Sequence, residues 1–307
     1  MSASATGSTI GKLIQHAAGI LRASGSETPR LDAELLLGHV LGVGRSLLLA
    51  EPELQVSEPQ QRALAGLIER RASGEPVAYI RGLKEFYGLV LSVDRRSLIP
   101  RPETELLVDL GLARIAFALT DRPRSATDGP LLVWDVGTGS GAVAVALAVE
   151  CRRRRYKPDV HLRATDISAD AISLATENAV AHGMADSIDL AIADLTALPS
   201  VRPADLLLAN LPYVPSAVVP VLPVAASFEP VAALDGGPDG LAVIRRLLGE
   251  LPAALATGGR ALLEIGSDQS DAVAAAVAAQ LPAWKLSVHD DLDGRPRVAE
   301  IEPPADA

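Results

Sequence analysis

The chain has 307 residues, 49% of them apolar, and its 38 Asp and Glu against 28 Lys and Arg leave a formal net charge of −10. That balance argues against tight nonspecific binding to nucleic acid, which needs basic surface, and the lone cysteine, Cys151, excludes an internal disulfide and fits a reducing compartment. No apolar run is long enough to span a membrane, and the polar start from Met1 to Thr9 lacks the basic residues and apolar centre of a signal peptide, so a cytoplasmic location is expected.

In chain order, Ile10, Leu13, Ile14, Ala17, Ala18 and Leu21 recur at helical spacing, and Leu35, Leu36, Leu37 and Val40 mark a second helix. Ser57 to Gln60 reads as a capping box with Pro59 in the first turn of a helix whose apolar face is Leu64, Leu67 and Ile68. Residues 1–74 are therefore expected to form a small helical bundle with no catalytic cluster. In residues 75–98, Val77–Ile80 and Glu85–Val93 favour strands separated by Gly82, which predicts a two-stranded linker. Pro100 to Glu105 opens a second domain, residues 99–307, with a helix from Glu103 to Ala118, and the polar stretch Thr120–Pro130 reads as a loop.

From residue 131 the pattern alternates. Strands are predicted at 131–136, 160–166, 188–193, 204–209, 258–265, 285–290 and 297–302, and helices at 140–153, 169–182, 238–255 and 268–280. Alternation of this kind predicts an α/β fold, a doubly wound, mostly parallel, Rossmann-like sheet of seven strands. Arg152–Arg155 reads as a solvated helix end, and the five histidines show no metal-ligand spacing, so no metal is expected.

Three sites of chemistry follow from that frame. Leu131–Val136 runs into Gly137-Thr138-Gly139-Ser140-Gly141, a strand, glycine loop and helix start in which the backbone can approach a ligand closely. Asp166 ends the next strand, where an acid can accept hydrogen bonds from both ribose hydroxyls, and Asp194 ends the third. Gly137, Gly139 and Ala142 satisfy a loose dinucleotide pattern, so the loop alone leaves NAD open beside S-adenosylmethionine. Asp135 at the head of the loop fits S-adenosylmethionine better. The fourth strand then ends in Asn210-Leu211-Pro212-Tyr213, the constellation of amino-methyltransferases. An amide or exocyclic amine is a poor nucleophile, so acceptors must fix its N–H groups and an apolar wall must exclude water. Asn210 offers a side-chain carbonyl, Leu211 a backbone carbonyl and Tyr213 a flat face. The Pro-rich segment between Tyr213 and Pro230 reads as a substrate-facing loop.

These residues resemble the release factor N5-glutamine methyltransferases, and the resemblance runs through nearly the whole chain. It rests on Leu31–Leu36, Gly74-Glu75-Pro76, Glu85-Phe86-Tyr87, Leu98–Glu105, Asp135–Gly141, Asn210–Tyr213, Phe228-Glu229-Pro230, Ala233–Gly237 and Asp239-Gly240-Leu241. It implies a methyltransferase acting on the glutamine of the Gly-Gly-Gln motif in class 1 peptide chain release factors, with S-adenosylmethionine converted to S-adenosylhomocysteine. It implies that Asp135, Gly137, Thr138, Gly139, Ser140, Gly141, Asp166, Asp194, Leu195 and Asn210 face the cofactor and that Asn210–Tyr213 hold the glutamine. It also implies that the N-terminal bundle grips the release factor; a monomer is expected. Two positions depart from the family pattern. Leu211 stands where Pro is usual, though it keeps the carbonyl and, before Pro212, an extended backbone. Leu195 stands where some members carry an aromatic ring near the adenine, so weaker stacking is expected. Glutamine methylation of a ribosomal protein and amino-methylation of nucleic acid are the alternative readings, the second disfavoured by the acidic balance; a non-catalytic cofactor-binding module is disfavoured by Asn210 and Tyr213.

Overall fold

The computed structural model describes residues 8–121, 129–156, 159–199 and 202–304. Most of the polar start and most of the expected loop between Thr120 and Pro130 fall outside the described residues. The chain forms two compact units: residues up to 83 with Pro223–Phe228, and residues 84–222 with 229–307. The first unit thus runs past residue 74 and takes six residues from the segment read as a substrate-facing loop.

The first unit contains helices α1 (Ile10–Ala23), α2 (Pro29–Leu41), α3 (Arg45–Ala50), α4 (Glu58–Ala72) and α5 (Val77–Arg81). Their apolar faces meet in one core that includes Ile10, Leu21, Leu36, Leu37, Leu48, Leu64 and Ile80. Two acids within Leu31–Leu36 are buried there and paired. Asp32 takes Arg71 of α4 at 2.7 Å, and Glu34 takes Arg30 at 2.9 Å and Arg45 at 2.6 Å. Buried charge is tolerated when it is paired in this way. Residues 77–80 are helical, not the strand their composition favours. Pro76 at φ −59 starts the turn and Gly82 at φ +71 closes it, and a short apolar run carries too little periodicity to distinguish the two states. The hairpin is instead β1 (Leu83–Phe86) and β2 (Leu89–Ser92). Tyr87 and Gly88 turn it with φ +49 and +70, the positive pair that a type I′ turn requires.

The second unit continues with α6 (Glu105–Asp121), β3 (Leu131–Val136), α7 (Ala142–Arg153), β4 (Val160–Asp166), α8 (Ala169–Ala181), β5 (Ile188–Ile192) and β6 (Ala204–Ala209). It ends with α9 (Ala242–Ala254), β7 (Leu255–Glu264), α10 (Ser270–Gln280), β8 (Lys285–Asp290) and β9 (Pro296–Glu302). These form a seven-stranded sheet in the order β5-β4-β3-β6-β7-β9-β8, with β9 antiparallel to both its neighbours and the other pairings parallel. β3 is buried along its whole length, as expected for a central parallel strand. Its side chains alternate between two cores. Leu131 and Val133 join α6 and α7 on one face, whereas Leu132, Trp134 and Val136 join α9 and α10 on the other. The strand order reverses at β3, which pairs with β4 on one side and β6 on the other. In open sheets of this kind that switch point opens a crevice at the carboxyl ends of the strands. Among the described residues no helix is long and apolar enough to cross a membrane.

Candidate active site

A cavity of about 780 Å³ lies at that switch point, within the second unit. The size is that of a small-molecule site. Asp135, Gly137, Thr138, Gly139, Ser140, Asp166, Asp194, Leu195, Asn210, Leu211 and Pro212 all line it. Gly141 and Tyr213 do not.

The glycine loop is held from below. Gly137 and Thr138 donate their N–H groups to the Thr165 carbonyl at 2.8 and 2.9 Å. Asp166 accepts the Gly139 N–H at 2.9 Å on one carboxyl oxygen and the Ser168 N–H at 2.9 Å on the other. Each oxygen keeps acceptor capacity toward the cavity. Asp135 is buried and accepts from the Thr138 hydroxyl at 2.6 Å and the Ala144 N–H at 3.2 Å. Burial pushes its carboxyl up to about 6, Asp166 adds to the rise, and the two hydrogen bonds pull it back. Gly141 has a different duty. It caps α7 at φ +80, and a Cβ there would stand 3.0 Å from the Ala175 Cβ and 3.2 Å from its Cα. Its lack of a side chain lets α8 approach the loop.

Asp194 and Leu195 form the far wall. Asp194 pairs with Arg246 of α9 at 2.7 Å, and Arg246 itself lines the cavity. Leu195 is buried yet sits at φ +52, an uncommon conformation for a branched side chain. Its carbonyl accepts the Thr165 hydroxyl at 3.3 Å, and the next residue, Thr196, is fixed by Glu250 at 3.0 Å through its N–H. Strain held in place by surrounding bonds at a cavity wall is a mark of a functional position.

Asn210 ends β6 and donates its side-chain NH2 to the Thr104 hydroxyl at 3.0 Å, which leaves its carbonyl oxygen without a protein donor in this arrangement. The Leu211 side chain is buried and reaches to 2.9 Å from where a Cβ on Gly137 would be. The second motif position therefore packs against the glycine loop. The Tyr213 ring is half-buried against the α9–α10 core and is not among the residues that line this cavity. Burial pushes its hydroxyl up to about 12. Its carbonyl accepts from Gln269 at 2.9 Å.

The Asp235–Gly240 stretch braces the motif. Gly236 donates to the Val214 carbonyl at 2.8 Å, and a Cβ on Gly236 would come within 2.7 Å of the Pro212 carbonyl oxygen. Only a glycine allows that approach. Beside Pro230, which lines the cavity, Glu229, 5% exposed, accepts the Ile99 N–H at 3.1 Å and the Arg101 guanidinium at 2.5 Å, fixing the Pro100–Arg101 turn. Thr104, Arg246, Glu229 and Asn178 are not among the site residues expected from the sequence, although Thr104 and Glu229 lie in segments that carry the family resemblance. Their partners lie 38 to 130 positions away in the chain, Asn178 with Ser92 and Ser140 among them, and no local spacing marks them. Among the described residues no group of three or more His, Cys, Asp or Glu stands together as a metal site.

Comparison with known proteins adds to this geometry. Residues 12–82 match the family described as PrmC N-terminal domain, and residues 123–224 match Methyltransferase small domain. The chain is similar to a release factor glutamine methyltransferase of Moorella thermoacetica, 39% identical over 86% of this chain and 88% of the relative. It is likewise similar to one of Rhodopirellula baltica, 35% identical over 96% of both. Among solved structures, the hMettl16 catalytic domain in complex with MAT2A 3′UTR hairpin 6 aligns with a TM-score of 0.53 at 13% identity, covering 80% of this chain and 82% of that one, a likeness of fold.

Proposed function

The chain belongs to the release factor glutamine methyltransferase family, and we propose from that premise that it methylates the side-chain amide nitrogen (N5) of the glutamine in the Gly-Gly-Gln motif of class 1 peptide chain release factors. S-adenosylmethionine is the methyl donor and S-adenosylhomocysteine the product. The observation that carries the reading is the convergence of the glycine loop, Asp166 and Asn210 on one cavity.

The residues present fit the donor. Gly139, at φ +55, has open space above it, with only the Ser97 Cβ 3.8 Å from where its own Cβ would stand. The open backbone at Gly139 and the free acceptor capacity of Asp166 suit a ribose and an amino-acid tail, and Leu195 and Val143 offer an apolar wall. When bound, S-adenosylmethionine supplies a methyl group on a positively charged sulfur. Asn210 Oδ1 and the Leu211 carbonyl each accept one N–H of the incoming glutamine amide. Both bonds strengthen as positive charge gathers on that nitrogen, so they favour the transition state over the ground state. The rigid motif, braced by Gly236 and Gln269, contributes through orientation. The proton then leaves the nitrogen for solvent.

The N-terminal helical unit grips the release factor in this reading. Leu47, Leu49 and Leu54 are exposed on it and can offer apolar contacts. The enzyme acts as a cytoplasmic monomer, with no direct role for nucleic acid or membrane. The test is mass spectrometry of intact release factor after incubation with the enzyme and S-adenosylmethionine. One added methyl group mapped to the Gly-Gly-Gln glutamine is expected; a methyl group elsewhere, or none, overturns the reading.

A further inference from the structure

A side-chain amide has two ends of nearly the same shape. Packing therefore cannot decide which end of Asn210 faces the substrate; hydrogen-bond partners must. Asn210 Nδ2 donates to Thr104 Oγ1 at 3.0 Å, and Thr104 is 4% exposed in the turn that leads into α6. A hydroxyl that accepts from Nδ2 needs somewhere to send its own hydrogen. The strand register supplies a candidate. Ala209 of β6 pairs with Leu263 of β7, so Asn210, just past the end of β6, and Glu264, the last residue of β7, follow directly on paired neighbours.

Glu264 is 1% exposed, and neither of its carboxyl oxygens makes a hydrogen bond of ordinary geometry. The Thr104 hydroxyl is nonetheless near enough to pull the carboxyl down, against the burial that pushes it up to about 7. The other charged or titratable groups facing Glu264 are Arg297 on β9, Arg101 and Glu103 ahead of α6, and Tyr213 beyond β6. Its strand neighbours Ala261, Leu262, Leu263 and Ile265 are all apolar and buried. An unpaired buried carboxyl costs stability that an apolar residue would not, and a perturbed acid beside a cavity is a functional candidate.

We propose that Thr104 and Glu264 are positioning residues for Asn210: the Glu264 carboxylate takes the Thr104 hydroxyl hydrogen, the Thr104 oxygen takes the Asn210 NH2, and the Asn210 carbonyl oxygen is thereby turned toward the substrate amide. The inference rests on the methyl-transfer reading above. Protonating Glu264 reverses the chain. The acid then donates to Thr104, the Thr104 hydrogen turns to Asn210, and the amide presents its NH2 to a substrate that needs an acceptor.

The experiment is single-turnover methyl transfer to intact release factor by the full-length enzyme between pH 6 and 9, with cofactor affinity measured alongside. Thr104→Val should slow turnover on the order of 10²-fold, the scale of a misplaced catalytic group, with cofactor affinity and KM nearly unchanged. Thr104→Ser should restore the rate to within a few-fold. The wild-type rate should rise with pH through the Glu264 titration, and Glu264→Gln should slow transfer and flatten that rise. Wild-type turnover in Thr104→Val, or an unaltered pH profile in Glu264→Gln, overturns the proposal. Failure of the wild-type enzyme to methylate release factor would instead sink the functional reading on which it stands.

Discussion

Asp166 holds two backbone N–H groups at 2.9 Å each before any ligand arrives. Its removal should act twice. Asp166→Ala is expected to weaken S-adenosylmethionine binding by about 1–3 kcal/mol, the cost of orphaned hydrogen-bonding groups, and to speed hydrogen exchange at Gly139. Calorimetry showing wild-type affinity would take Asp166 out of the site. At Leu211 only half of the role was visible in the sequence. The carbonyl could be assigned from the motif, but the side chain's contact with Gly137 joins residues 74 positions apart (211 − 137) and exists only in the folded chain. Leu211→Pro keeps the carbonyl and loses that packing. It should therefore leave turnover within a few-fold of wild type yet lower stability, by less than the about 2–5 kcal/mol of a buried Leu→Ala. A large fall in turnover at unchanged stability would show that the side chain positions the chemistry. Tyr213 illustrates the opposite limit. Motif spacing brings it next to Pro212 but does not say that its ring turns to the α9–α10 core.

The elements of the second unit were legible because their periods are long and consistent. All seven strands stand within three residues of their expected starts and one of their expected ends; buried central strands such as β3 and β6 read as apolar runs bounded by turns. Val77–Arg81 was misread because five residues carry too little periodicity to separate helix from strand. The glycine loop shows why a motif does not assign each of its members. Gly141→Ala should lower the melting temperature markedly. A left-handed position costs a side chain about 1–2 kcal/mol, and the new Cβ meets the Ala175 Cα at 3.2 Å. Gly139→Ala, at φ +55, carries the same left-handed cost, but its Cβ meets nothing nearer than 3.8 Å, so it should lower stability less than Gly141→Ala and weaken cofactor binding more. The reverse ranking of the two variants in paired melting and binding measurements would contradict this division. Asn178 of α8 ties the same elements together. Its amide donates to the Ser92 and Ser140 carbonyls at 3.0 and 2.9 Å and accepts the Ser92 N–H at 2.7 Å. Asn178→Ala should cost about 1–3 kcal/mol in denaturant unfolding, through the buried groups it leaves unpaired.

For the whole molecule, two buried carboxyls set a pH dependence. Asp135 is raised to about 6 and Glu264 to about 7 by burial. A carboxyl whose folded pKa lies above its unfolded value binds its proton more tightly in the native state. Its stabilising effect is then full below the unfolded pKa and is lost as pH rises through the folded one. Glu264→Gln removes one such group. Its stability relative to wild type should rise between pH 5 and 8, by on the order of 3 kcal/mol at the top of that range, while its activity falls. A pH-independent difference would show that Glu264 is paired in a way these contacts do not reveal. The division into units was only partly legible. Composition marks a helical N-terminal region, but Pro223–Phe228 joins it from far along the chain, which no local pattern records. In the proposed reaction Asn210 fixes the glutamine amide for methyl transfer. Single-turnover transfer to the Gly-Gly-Gln glutamine of release factor by Asn210→Ala tests it most directly: a fall of roughly 10²–10³-fold, the loss seen when one preorganised transition-state partner is removed, is expected with cofactor affinity nearly unchanged, and transfer at the wild-type rate would contradict the claim.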